Sequence, residues 1–167
     1  MYIIDKSFKR APKSYIIQSL LATAVMAVVL YLIRGLTGGA IVAALGASTF
    51  IVFAMPHWIT AQPRRLIGGH IVGLICGSVF YYACFASPLR HLLDDWEFMP
   101  VLASALAVGL SIFLMTITNT EHPPAAGTAL GIVANGWAYQ AVIFVLVFSI
   151  ALSIARRLLL SRMNNLF

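Results

Sequence analysis

Residues 15–33 read YIIQSLLATAVMAVVLYLI, an uncharged run bounded by Lys13 and Arg34. A helix needs about 20 apolar residues to cross roughly 30 Å of hydrocarbon, so Tyr15–Ile33 reads as a membrane span. The same length of apolar sequence recurs along the chain. A second span is expected over Ala40–Met55, a third over Leu66–Ala86, a fourth over Phe98–Thr118 and a last over Trp137–Leu158. Composition agrees: the 167 residues are 61% hydrophobic and only 10% charged, with a mean hydropathy of +0.94. A soluble domain is about half apolar and about a quarter charged. The expected fold is therefore all-α, a polytopic helical membrane protein. It has about five transmembrane helices plus a short half-helix over Ala125–Ala134.

The chain divides into a basic N-terminal segment (1–14), a transmembrane domain (15–158) and a basic tail (159–167). No cleavable leader is expected, because the first apolar run lacks a small-residue cleavage site and more spans follow. Basic residues sit where spans end: Lys6, Lys9, Arg10 and Lys13, then Arg64 and Arg65, then Arg156, Arg157 and Arg162. The net charge of +6 thus points to membrane orientation and lipid headgroups rather than to nucleic acid. The early cluster and Arg64–Arg65 belong on the cytoplasmic side, and the acidic stretch Ser87–Glu97 on the other. Five crossings would then put the basic tail outside. Either Ala125–Ala134 belongs to an extra, broken crossing, or the tail breaks the charge rule. Sliding the chain by 60 positions superposes Ala43 on Ala103, Phe53 on Phe113, Thr60 on Thr120 and Pro63 on Pro123, a weak two-fold internal repeat.

Two segments combine proline, polar groups and small residues beside apolar spans. One holds Gln62, Pro63, Arg64, Arg65, Gly69 and His70. The other holds Asn119, Glu121, His122, Pro123, Pro124, Ala125, Gly127 and Thr128. Proline cannot continue a helix but suits the first turn of a new one. A helix starting at Pro123 would offer amide N–H groups at Ala125, Ala126 and Gly127, shielded by nothing larger than a methyl. Such an N-terminus suits an anion, and Arg64 and Arg65 add positive charge. The alternative for Glu121 is a plain ion pair with one of these arginines. His122 is a candidate for gating or proton coupling, and His70 could meet it if the two loops converge. The donor set favours a small anion over a cation. No nucleophile–base pair, metal-ligand spacing or cofactor motif is visible, so neither enzyme activity nor a cofactor is expected. Gly73, Gly77, Ala103 and Gly109 read as helix-packing positions.

The stretch Glu121-His122-Pro123-Pro124-Ala125-Ala126-Gly127-Thr128, with Gly46-Ala47-Ser48, Phe53-Ala54-Met55-Pro56, Ala61-Gln62-Pro63-Arg64 and Gly68-Gly69-His70, resembles the HPP family of integral membrane proteins. The family usually has His-Pro-Pro-Ala-Gly-Ala where this chain has His-Pro-Pro-Ala-Ala-Gly, and Asn where this chain has Arg65. The resemblance covers roughly residues 15 to 158. It implies a multi-spanning transporter; cyanobacterial and plastid members are associated with nitrite transport. The expected function is passage of a small inorganic anion, nitrite first, with protons as a second cargo. The alternative is a membrane sensor or assembly subunit without transport. A multi-pass location in a bacterial inner or plasma membrane and a homo-oligomer are also expected, since five spans make a thin bundle.

Overall fold

The structure, a computed structural model, describes residues 6–32, 38–86 and 98–166. These residues form seven α-helices and no strand: α1 (Lys6–Arg10), α2 (Pro12–Leu32), α3 (Gly39–Ala54), α4 (Pro63–Tyr81), α5 (Met99–Ile117), α6 (Pro123–Asn135) and α7 (Tyr139–Leu159). Lipid offers backbone groups no hydrogen-bond partner, so an apolar chain crosses it as helices that satisfy themselves. Proline opens α2, α4 and α6 and lies in the first turn of α5, where its missing N–H costs nothing. Four helices are long and apolar enough to cross a membrane, those beginning at Pro12, Pro63, Met99 and Tyr139, and α3 is a shorter apolar helix. The expected acidic loop Ser87–Glu97 and the Arg34-Gly35 turn lie outside the described residues.

Contacts between helices fix the directions. Met26 in α2 meets Thr49 in α3, and Gln18 meets Phe53, so these two run antiparallel. Along α6, Gly127 faces Ala44, Gly131 faces Ile41 and Asn135 faces Gly38, which makes α6 antiparallel to α3. Along α4, Gly69 faces His122 and Ala125, Gly73 faces Ala125 and Ala129, and Gly77 faces Ala129 and Ile132, so α4 and α6 run parallel. Helix α7 then returns: Trp137 before it donates to Ser78 Oγ at 3.0 Å, and Arg156 near its end donates to the Pro56 carbonyl at 2.8 Å. From α2 to α7 the helices alternate in direction, and α6, although only 13 residues long, runs opposite to α5 and α7. The basic tail therefore shares one face with Lys9, Arg10, Lys13, Arg64 and Arg65, as the charge rule requires.

Helix α6 is the shortest of the six, 13 residues or about 20 Å, and it packs against α3, α4 and α5. A helix wrapped by protein need not match the thickness of the hydrocarbon. The tail is no loose end. Asn164 exchanges hydrogen bonds with the Gln18 amide at 2.9 and 3.0 Å, and the Leu166 N–H donates to the Ala54 carbonyl at 2.9 Å. The internal repeat extends to the elements: α3 and α5, and α4 and α6, each begin 60 residues apart, and α3 packs on α6 as α5 packs on α4. Yet α5 packs along α6, while α3 has no such seam with α4.

The closest helix approach is the α4–α6 seam. A Cβ at Gly77 would lie 2.8 Å from both the Ala129 carbonyl oxygen and Ile132 Cβ. One at Gly109 in α5 would meet nothing within 4 Å, so Gly109, unlike Gly73 and Gly77, packs against no other helix among the described residues. Gly77→Ala should destabilise by about 1–3 kcal/mol through overpacking, whereas Gly109→Ala should stay within about 0.5 kcal/mol of the parent or gain slightly from helix propensity. Thermal unfolding of the two variants in the same detergent tests the contrast; equal midpoints would contradict the seam.

Candidate functional site

The two proline-started helices bring their first turns together. Gln62 caps α4 and His122 caps α6, both with extended backbone. The Gln62 carbonyl accepts from the Arg65 and Leu66 N–H groups at 2.9 Å, and the His122 carbonyl accepts from Ala125 at 2.9 Å. Pro123 and Pro124 have no N–H. The expected bare amide at Ala125 is thus already engaged, and Gly127 sits with Ala44 as its nearest neighbour. Proline at the first two positions removes the very donors that would make a helix start an anion cradle.

The start of α6 is set deep because Gly69 lies one and a half turns into α4, about 9 Å along its axis. A Cβ on Gly69 would lie 2.7 Å from His122 Cβ and 3.0 Å from the Thr120 carbonyl. There His122 and His70 are fully buried, with ring centroids 5.2 Å apart. Ser48 of α3 stands between them: its Oγ lies 3.0 Å from His70 Nε2 and 2.9 Å from His122 Nε2. The outer nitrogens are also held. His70 Nδ1 is 2.9 Å from Thr128 Oγ1, and His122 Nδ1 donates to the Thr60 carbonyl at 2.9 Å. Ser48 and Thr128 are themselves fully buried. An ionisable pair inside a membrane bundle is costly to keep and normally marks a pathway or relay.

Of the alternatives stated for Glu121, the ion pair with an arginine is present. Arg64 donates to the Thr118 carbonyl at 3.2 Å. Arg65, largely buried, forms an ion pair with Glu121 and donates to Asn119 Oδ1. Asn119 takes the left-handed conformation, φ 58°, just past α5. Its N–H reaches the Thr116 carbonyl at 3.4 Å, and the Thr120 N–H reaches Met115 at 2.9 Å. This is a Schellman ending, for which Asn ranks next to Gly. Arg64, Arg65, Asn119 and Glu121 thus clamp the α5–α6 connection onto the start of α4. His70, His122, Thr128 and Gly69 form the buried centre. The Gln62 and Pro123 side chains are exposed and Pro63 is half-buried; Pro124 and Ala125 are buried in the helix start.

A cleft of about 270 Å³ opens between α5, at Ile112, Met115 and Thr116, and the α6 start, at Glu121, His122 and Pro123. It gives His122 its nearest approach to the outside. Sequence reasoning did not place Ser48 or Thr60 in the site. A serine in the middle of an apolar helix was a usable signal for Ser48; Thr60 contributes only a backbone carbonyl and carried none. If the clamp matters for stability, the Arg65–Glu121 pair should couple more strongly than the about 0.2–1 kcal/mol of an exposed pair. Arg65→Ala should also cost more than Arg64→Ala. A double-mutant cycle on thermal unfolding reads both, and a coupling near zero would contradict the clamp.

Comparison with known proteins gives a consistent frame. The HPP transmembrane region matches residues 8–166. Two relatives from Dictyostelium discoideum, each named only as a transmembrane protein, are similar to it. One is 41% identical over 90 residues, covering 54% of this chain and 28% of the relative. The other is 38% identical over 84 residues, covering 50% of this chain and 24% of the relative. The matched stretch is thus a minor part of those longer proteins, and their organism lends nothing to a bacterial location. No solved structure matches. With its all-helical bundle, its His-Pro-Pro helix start and a match over nearly its whole length, the chain belongs to the HPP family of membrane proteins.

Proposed function

We propose that the protein is a membrane transporter that passes a small inorganic anion, nitrite first, together with a proton. The observation that carries this reading is the buried pair His70 and His122, hydrogen-bonded through Ser48 beside a cleft that His122 lines. A monovalent anion alone in a low-dielectric bundle faces a desolvation cost of several kcal/mol. A proton on a nearby imidazole offsets it: two unit charges about 4 Å apart attract by about 4 kcal/mol at an effective dielectric constant of 20. Anion and proton together cross as a neutral pair.

The charge map supports the division of labour. Arg65 is neutralised by Glu121, so it has no net charge to offer a solute. Arg64 bonds only a neutral carbonyl and is exposed on the basic face. It is the residue to draw an anion to the entrance, and His122 is the residue to receive it. By the charge rule the basic face is cytoplasmic. The same face suits anionic lipid headgroups, and the exposed outer faces of α2 and α5 leave room for a second copy of the chain.

One observation favours the alternative, a sensor or assembly subunit: the polar atoms of the two imidazoles are all bonded within the protein. His122→Asn separates the readings. The asparagine amide can keep the donor to the Thr60 carbonyl and loses the reach to Ser48. Liposomes holding the purified full chain should take up nitrite faster than protein-free liposomes, faster still with acid outside. His122→Asn should abolish most of this while remaining folded. Uptake equal to that of empty liposomes, with or without the gradient, would refute transport of nitrite. An intact uptake rate in folded His122→Asn would refute the role of His122.

A further inference from the structure

Counting hydrogens around Ser48 takes the site a step further, building on the transport reading. A carbonyl only accepts, so the Thr60 contact requires a hydrogen on His122 Nδ1. In neutral His122 the other nitrogen, Nε2, is then bare and accepts the Ser48 hydroxyl at 2.9 Å. With its one hydrogen spent there, Ser48 can only accept from His70, which must carry its hydrogen on Nε2, 3.0 Å away. His70 Nδ1 is then bare and accepts the Thr128 hydroxyl at 2.9 Å. With the Ser48 hydrogen on His122, the Thr60 carbonyl sets the direction of the whole series, from Thr128 through His70, Ser48 and His122 to Thr60.

Ser48 Oγ has a third polar neighbour, the Ala44 carbonyl oxygen at 3.0 Å. In the neutral series no hydrogen lies between them. Filling every contact needs three ring N–H groups, and two neutral imidazoles bring two. One added proton supplies the third. With Nε2 of His122 protonated, Ser48 accepts from both rings and turns its own hydrogen to Ala44, leaving no buried donor unsatisfied in either state.

We propose that Ser48, His70, His122 and Thr128 form a site for one proton, loaded at His122 Nε2 by rotation of the Ser48 hydroxyl from His122 to Ala44. The proton comes from hydronium or from the conjugate acid of the carried anion. No electrons move and no bond between heavy atoms changes. The other charged or titratable groups nearby are Glu121 and Arg65, already paired with each other. Helix α3 presents Ser48, and α5 presents Ile112, Met115 and Thr116 at the cleft, none of them charged.

Nitrogen NMR of the full chain with labelled histidine, in lipid bilayers, tests this without any transport readout. His122→Asn and His70→Asn assign the two rings among the four histidines, and His57 serves as an exposed reference. Near neutral pH, His122 should be the Nδ1–H form and His70 the Nε2–H form. On acidification His122 alone should become doubly protonated, while His70 stays neutral. In Ser48→Ala, His70 should lose its single tautomer, and the doubly protonated His122 signal should vanish at the pH where the parent shows it. Swapped tautomers, both rings protonating together, or an unchanged Ser48→Ala spectrum would overturn the proposal. Should Ser48→Ala not fold, the tautomers of the parent decide alone. These tautomers without nitrite uptake would sink the transport reading and leave the proton site standing; uptake with swapped tautomers would do the reverse.

Discussion

The bundle is organised by how closely α6 can lie against α4. Gly69, Gly73 and Gly77 recur every four residues on α4, opposite His122, Ala125, Ala129 and Ile132. In lipid the hydrophobic effect does little to bring helices together, so close backbone approach and dispersion carry the association. At this seam the backbone of α6 comes near enough for His122 to be sunk about 9 Å below the start of α4, beside His70. A larger side chain at Gly69 would meet His122 Cβ at 2.7 Å and push the two rings apart. The polar centre is a consequence of the seam, with α3 supplying Ser48 from the other side of α6.

Inside such a bundle an unpaired polar group costs several kcal/mol, which explains the economy of the arrangement. Each ring nitrogen of His70 and His122 has one partner, and Ser48 serves both rings. The full charges are kept nearer the basic face. Glu121 is the only acidic side chain among the described residues, and it is bound to Arg65. The Arg65 guanidinium therefore contributes a clamp on the α5–α6 connection, and the variable charge of the site resides on imidazole.

Much of the fold could be read from hydropathy, because spans 15–33, 40–55, 98–118 and 137–158 fall within a few residues of α2, α3, α5 and α7. Proline placement located the starts of α4 and α6, and the left-handed Asn119 ended α5 where a polar run begins. The direction of α6 was not legible: 13 residues are too few to register as a span, and only its packing between α3 and α4 shows which way it runs. The docked tail was hidden in Gln18, one polar residue in an apolar helix whose amide binds Asn164. In the site, His70 and His122 were singled out, and their meeting hung on convergence of the two loops, which the packing of α6 on α4 supplies. Of the two readings stated for Glu121, the ion pair is the one present, with Arg65, while Arg64 bonds the Thr118 carbonyl. The expected free amide at Ala125 overlooked the His122 carbonyl that precedes it by three residues.

The proposed function rests on two buried imidazoles sharing one serine hydroxyl inside the helix bundle. An experimental density map of the protein in lipid, sharp enough to place side chains, measures this directly. It should show Ser48 Oγ about 3 Å from Nε2 of both His70 and His122, with Gly69 against the His122 Cβ. Rings separated by a packed apolar side chain, or Ser48 facing lipid, would contradict the account.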